Sequence, residues 1–141
     1  MSCAFCQIAA GEREAQVVLE SQVAIAFLDH RPLFPGHVLL APRQHCVTVD
    51  ELPAASLAPF FADLQRLARA VEAGVEGAEG TLVAINNKVS QSVPHLHVHI
   101  VPRRKGDGLK GFFWPRHPYA DEGHRDRIAA RIRAVLADAN A

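Results

Sequence analysis

No stretch of the 141-residue chain approaches ~18 unbroken apolar residues, so no membrane-spanning helix is expected. Cysteine is scarce: three residues, an odd number, which excludes a disulfide framework as the organising principle. Net charge is absent too, with 15 basic and 15 acidic residues, so no global field draws in a polyanion and no nucleic-acid polymer is expected as a partner. Any recognition of phosphate has to come from a local site. The opening segment MSCAFCQIAAGERE lacks a basic stretch followed by an apolar one, so no secretory leader is expected and the cytoplasm is the expected location. Repeats, low-complexity tracts and dividing linkers are also missing.

What is present describes an ordinary globular domain, with 49% apolar and 21% charged residues. A single domain over 1–141 is expected, with a core of about 3–105 and a C-terminal loop and helix over 106–141. QVVLESQVAIAFLDHRP reads as two strands joined by a polar turn at Glu20-Ser21-Gln22, and GHVLLAPRQH as a third. From Ala54 to about Ala73, Leu57, Phe60, Phe61, Leu64, Leu67, Ala68 and Val71 form a helical stripe. Pro53 and Pro59 are placed in or near its first turn, and Gly74, Gly77 and Gly80 end it. TLVAIN and HLHVHIVP are a fourth and a fifth strand, and a last helix spans roughly Asp121 to Ala137. The expected fold class is α+β: an antiparallel sheet of about five strands with one long helix and a C-terminal helix.

HLHVHIVPRR concentrates chemistry. Strand residues alternate between faces, so His95, His97 and His99 share one face, spaced roughly 7 Å apart, while Leu96, Val98 and Ile100 turn to the core. Three readings compete. The imidazoles decorate an exposed edge strand; or they hold a catalytic zinc ion with an open position; or one is a nucleophile toward phosphorus that its neighbours orient. Upstream, NNKVSQSVP supplies Asn86, Gln91 and Ser92, neutral groups suited to phosphate oxygens, and no carboxylate of the kind a hydrolytic metal site uses.

Cys3 and Cys6 form a CxxC near the N-terminus, either half of a metal site, a redox couple or incidental. His30, His37, His45 and His95 are the candidates for the missing metal ligands. Cys46 is expected to be a packed or idle thiol. GFFWPRHPY, Gly111 to Tyr119, is the most aromatic stretch, read as a clasp against the sheet, a dimer contact or a lid. Arg103, Arg104 and Lys105 form a basic cluster that either meets phosphates or is a solvated turn, and His117 and His124 are read as surface residues.

HLHVHIV resembles the HφHφHφφ signature (φ hydrophobic) of the histidine-triad, or HIT, family of nucleotidyl hydrolases and transferases. CAFCQIAAGE, AIAFLDHRPLFPGHVLLAPRQH and SQSVPHLHVHIVPR resemble further family segments in the same order, over about residues 3 to 105. The resemblance implies a HIT-like fold and a hydrolase acting on purine nucleotide conjugates, phosphoramidates or dinucleoside polyphosphates, through a covalent nucleotidyl-histidine, with release of the monophosphate. His97 would be the nucleophile, His99 an assistant in phosphate and leaving-group chemistry, and Gln91 and Ser92 contacts to phosphate and leaving group. Phe27 and Asp29 would bind base and ribose, Asn86 the substrate, and His37 would be an active-site hydrogen-bonding residue. Relatives with a CxxC imply a structural zinc on Cys3, Cys6, His45 and His95, and family members are typically homodimers. Ser90 departs from the pattern, standing where the family commonly has glycine. Two other functions remain open: a nucleotide-binding regulatory module with vestigial hydrolysis, and a metallohydrolase with zinc on His95, His97 and His99.

Overall fold

The two most continuous apolar runs of the chain, Ala24–Leu28 and Val38–Pro42, form neighbouring strands with both faces covered. The computed structural model describes residues 3–109 and 116–138, which divide into a unit ending at Asp107 and a unit beginning at Gly108. The first unit opens with helix α1 (Ala4–Ala9), then strands β1 (Val17–Glu20), β2 (Ala24–Leu28) and β3 (Val38–Pro42). Helix α2 (Ala54–Gly74) leads to β4 (Gly80–Ile85) and β5 (Val98–Arg103). All strand pairs are antiparallel, in the order β1-β2-β3-β5-β4.

Alternation divides the core in two. Ala24, Ala26, Val38, Leu40, Val98 and Ile100 pack with Phe60, Leu67 and Val71 of α2 on one face. Ile25, Phe27, Leu39 and Ala41 pack with Phe5 and Ile8 of α1 on the other. Because each face has its own helix, β2 and β3 read as unbroken apolar runs rather than as alternating ones. Each large side chain so buried contributes about 1.5–3 kcal/mol.

The structure differs from the sequence expectations in four places. Helix α1 was not expected: six residues are too few to display a helical period. The pairing of β5 starts at Val98, so His95 and His97 precede the ladder. β5 lies between β3 and β4, which removes the reading of its histidines as decoration of an exposed edge. Pro59 sits inside α2 beyond its first turn, at the loss of one helical hydrogen bond.

In the second unit, helix α3 (Glu122–Ala137) starts where Asp121 Oδ1 accepts a hydrogen bond from the His124 backbone N–H at 2.7 Å. Ile132, Val135 and Leu136 on it are exposed. Of the aromatic stretch, residues 111–115 lie outside the described residues.

Candidate functional site

Two histidine-rich clusters meet around the start of β5. In the first, Cys3 and Cys6 come from the start of α1, His45 from the chain after β3, and His95 from the extended segment before β5. Cys3 Sγ lies 3.3 Å and Cys6 Sγ 3.5 Å from His95 Nδ1, Cys6 Sγ lies 3.3 Å from His45 Nδ1, and the two Nδ1 atoms are 3.1 Å apart. A tetrahedral zinc ion with bonds of ~2.3 Å to sulfur and ~2.0 Å to nitrogen spaces its ligands by roughly 3.3–3.8 Å. The four donors therefore fit one ion of that size. His95 is fully buried, and its Nε2–H donates to the Pro42 carbonyl at 2.8 Å, which leaves Nδ1 as a bare lone pair facing the sulfurs. Burial and the neighbouring Cys3 thiol push the Cys6 thiol up, so its thiolate, the form that binds zinc, needs a cation beside it to be stable. Of the four candidate histidines, His30 and His37 lie outside this cluster.

The second group lines a cavity of about 580 Å³ on the α1 face of the sheet. The register sets its floor: Phe27 pairs with Leu39, Leu39 with His99, and His99 with Ala84, one row across four strands. Phe27 and His99 are thus two strand spacings apart, roughly 10 Å. Phe5 and Ile8 form an apolar wall, and Asp29, Ser92, His97 and His99 supply polar groups.

Backbone groups decide where the protons sit. His97 Nδ1–H donates to the His95 carbonyl at 2.8 Å, so His97 Nε2 carries a lone pair. The Leu33 N–H donates to His37 Nδ1 at 3.1 Å, so the His37 proton resides on Nε2 and is donated to His99 Nδ1 at 3.0 Å. His99 then carries its own proton on Nε2. Burial pushes His99 down to about 4 and lowers His37 as well, so both are neutral near pH 7. Gly36, the residue before His37, has a φ of +97°, and a Cβ there would come within 2.5 Å of Val75 Cγ2.

Asp29, His37 and His99 also lie close enough together to suggest a metal site. Their protons speak against one. His37 Nδ1 already accepts from Leu33, and its Nε2 is protonated, so neither nitrogen offers a lone pair to an ion. Asp29 combines two roles: Oδ1 accepts from the Arg31 N–H at 2.9 Å in a turn, and the carboxylate borders the cavity.

Gln91 is placed differently from its expected phosphate contact. Its Oε1 accepts from the Lys88 N–H at 2.9 Å and its Nε2 donates to the Val47 carbonyl at 2.6 Å, and it is not part of the cavity wall. It clamps the loop. Asn86 is half-buried and also off the wall, while Asn87 Oδ1 accepts from the Val49 N–H at 3.1 Å. Cys46 is buried in the core with its thiol pushed up by burial. Arg103 engages Asp107 through two hydrogen bonds, and the Lys105 N–H donates to Glu79, so this basic cluster is a structured turn. His117 is exposed, but His124 Nδ1 accepts from the Ala120 N–H at 3.0 Å. Sequence reading missed Phe5, Ile8 and Leu39 as cavity residues. Of these, Leu39 was accessible by alternation against Val38 and Leu40.

A HIT domain model matches residues 10–106. The chain belongs to the HIT domain family. A HIT-like protein of Mycobacterium tuberculosis is 38% identical over 146 residues, covering 100% of this chain and 97% of the relative. The adenosine 5'-monophosphoramidase of Schizosaccharomyces pombe is 32% identical over 138 residues, covering 94% of this chain and 100% of that protein. Among solved structures, a HIT family protein from Bacillus subtilis superposes with a TM-score of 0.87 at 33% identity, covering 99% of this chain and 100% of its own. A zinc-bound histidine-triad protein from Mycobacterium smegmatis gives a TM-score of 0.71 at 37% identity, covering 98% and 99% of the two chains. This HIT chain shares their antiparallel sheet and helices.

Proposed function

We propose that this HIT protein hydrolyses nucleotide conjugates through a covalent nucleotidyl intermediate on His97. The observation that carries the reading is the His97 ring, fixed by the His95 carbonyl so that an unprotonated Nε2 belongs to the cavity group. The cavity row suits a nucleoside monophosphate: an apolar slot at Phe27 and Leu39 takes the base, Asp29 accepts from the ribose hydroxyls, and the phosphate meets His97, His99 and Ser92. His97 Nε2 attacks the α-phosphorus, and a P–N(His97) bond forms as the bond to the leaving group breaks. The leaving group takes a proton from solvent in the open cavity, while His99 Nε2–H donates a hydrogen bond to the departing atom. Water then attacks the phosphorus and gives its proton to solvent; the P–N bond breaks, His97 Nε2 regains its lone pair, and the monophosphate leaves. The yeast relative's name supports a phosphoramidate as first substrate, with dinucleoside polyphosphates as the second class to assay.

The Cys3–Cys6–His45–His95 cluster is proposed as a structural zinc site, in keeping with the zinc-bound mycobacterial relative. Zinc there holds α1 against the sheet and takes no part in the chemistry. A catalytic ion on the three triad histidines is disfavoured, since the lone pair of His95 faces the sulfurs and His97 Nδ1 is protonated. A homodimer is proposed through α2 and the edge strand β4, where Leu57, Phe61 and Val83 are exposed; sedimentation equilibrium tests it.

The deciding experiment is His97→Ala. Turnover of an adenosine phosphoramidate is expected to fall roughly 10⁴-fold or more, with adenosine monophosphate binding retained and one zinc per chain still present. Full activity in this variant overturns the nucleophile assignment, and loss of zinc overturns the division between the two clusters.

A further inference from the structure

Phe5 stands between the two clusters. Its neighbours on α1, Cys3 and Cys6, belong to the metal cluster, while Ala4, Phe5 and Ile8 belong to the cavity wall. The Phe5 ring is perpendicular to that of His97 at a centroid distance of 5.1 Å, at 68° to Phe27 at 5.2 Å, and at 66° to His95 at 5.8 Å. Edge-to-face contact at these distances favours one ring orientation over its alternatives. The helix that carries Phe5 has six residues and no side-chain cap at its start. A helix so short does not hold itself together. It is held from outside: by the metal cluster at one end, by Arg43 donating to the Ala9 carbonyl at 3.1 Å at the other, and by burial of Phe5 and Ile8 between them.

We infer that Phe5 is a positioning residue that links the metal cluster to the orientation of the His97 ring and to nucleotide affinity. The inference rests on the proposed nucleotide chemistry at His97. Clamping α1 through Cys3 and Cys6 sets the Phe5 ring; that ring limits the tilt of His97 and closes the apolar wall. Two sites that share one element are coupled, and the coupling is reciprocal: an ion that tightens nucleotide binding is itself retained more strongly when nucleotide is bound. A coupling of about tenfold lies inside the range of such linkages.

The test uses zinc-loaded protein and adenosine monophosphate as the probe. Transfer of zinc to a chromogenic chelator is timed with and without saturating monophosphate, in the native chain and in Phe5→Leu, which keeps an apolar side chain but loses the ring. Monophosphate is expected to slow zinc release about tenfold in the native chain and less than twofold in Phe5→Leu. With a phosphoramidate substrate, Phe5→Leu is expected to lose about tenfold in kcat, from a misoriented nucleophile, and to raise KM by about the factor of the lost coupling, roughly tenfold. Phe5→Tyr, which restores a ring, is expected to recover most of that loss. Equal release rates with and without monophosphate in a native chain that binds it overturn the inference without measuring any variant. Full protection retained in Phe5→Leu overturns it as well, because general stabilisation then accounts for the slowing. Absence of monophosphate binding to the native chain sinks the nucleotide reading, and the inference falls with it.

Discussion

The cluster of Cys3, Cys6, His45 and His95 and the cluster of Asp29, His37 and His99 each bring two imidazoles within ligand distance, and they differ in their hydrogen bonds. In the first, the Pro42 carbonyl accepts a hydrogen bond from His95 Nε2–H and leaves Nδ1 bare, 3.1 Å from His45 Nδ1 and 3.3 Å from Cys3 Sγ. That bare nitrogen faces two sulfurs and a second imidazole nitrogen, a donor set that suits one zinc ion. In the second, His37 Nδ1 accepts a hydrogen bond from the Leu33 N–H, and His37 Nε2–H donates one to His99 Nδ1. Every close contact between its imidazoles already contains a hydrogen, so the cluster is complete without an ion. Proximity of donors is therefore a weak criterion for a metal site; the direction of the hydrogen bonds around them discriminates.

Removing an ion gives the largest expected effect. Cys3→Ser combined with Cys6→Ser is expected to abolish zinc binding. A ligand present at a thousandfold excess over its Kd contributes about 4 kcal/mol, which corresponds to a fall in Tm of roughly 12 °C for a chain of this size. Metal analysis of the native protein is expected to find one zinc per chain; two would erase the distinction between the clusters. His37→Ala tests the other side. It is expected to retain the zinc and lose about 10²-fold in turnover, because the hydrogen bond from His37 no longer holds His99 with Nε2–H toward the leaving group. Loss of zinc in this variant, or undiminished turnover, contradicts the proton order assigned to the second cluster.

These clusters were unequally legible in the sequence. The strands could be read because Ala24–Leu28 and Val38–Pro42 are short apolar runs bounded by turn residues. Alternation likewise placed His97 and His99 opposite Val98 and Ile100. The CxxC spacing announced two ligands, but the choice of His45 and His95 among four histidines came only from the family resemblance, since it depends on how β3 and the pre-β5 segment approach in space. Helix α1 escaped notice because tertiary contacts stabilise it rather than its own periodicity. The hydrogen bond of Gln91 was hidden for a related reason: only the fold brings the Val47 carbonyl to its amide. Proton positions were the least legible, because backbone groups of Leu33, Pro42 and His95 assign them.

Acid gives a smaller effect with a definite sign. Burial first, then the neighbouring His97, pushes His99 down to about 4, below the ordinary value of 6.5. The folded chain therefore refuses a proton that the unfolded chain accepts. The contribution of neutral His99 is full above about pH 6.5 and is lost as the pH falls toward about 4, with a slope of at most ~1.4 kcal/mol per pH unit. Zinc ligands titrate in the same region, so the informative quantity is the difference between the native chain and His99→Gln in urea unfolding at several pH values. The variant is expected to show the shallower decline between pH 6.5 and 4; parallel curves contradict the shift assigned to His99.

The smallest expected effect probes the loop that delivers Ser92 to the cavity. Lys88 and Ser90 both adopt left-handed backbone, with φ of +69° and +60°. Left-handed geometry costs a residue with a Cβ about 1 kcal/mol, and glycine returns roughly 0.5–1 kcal/mol of that through the greater freedom of its unfolded chain. Ser90→Gly is therefore expected to gain at most about 0.5 kcal/mol, a rise in Tm of a degree or two. Turnover should stay level, since the two hydrogen bonds of Gln91 hold the loop whichever residue stands at 90. A fall in turnover with unchanged Tm would show that the strained backbone at Ser90 itself aims Ser92 at the phosphate, and that Gln91 alone does not set the loop.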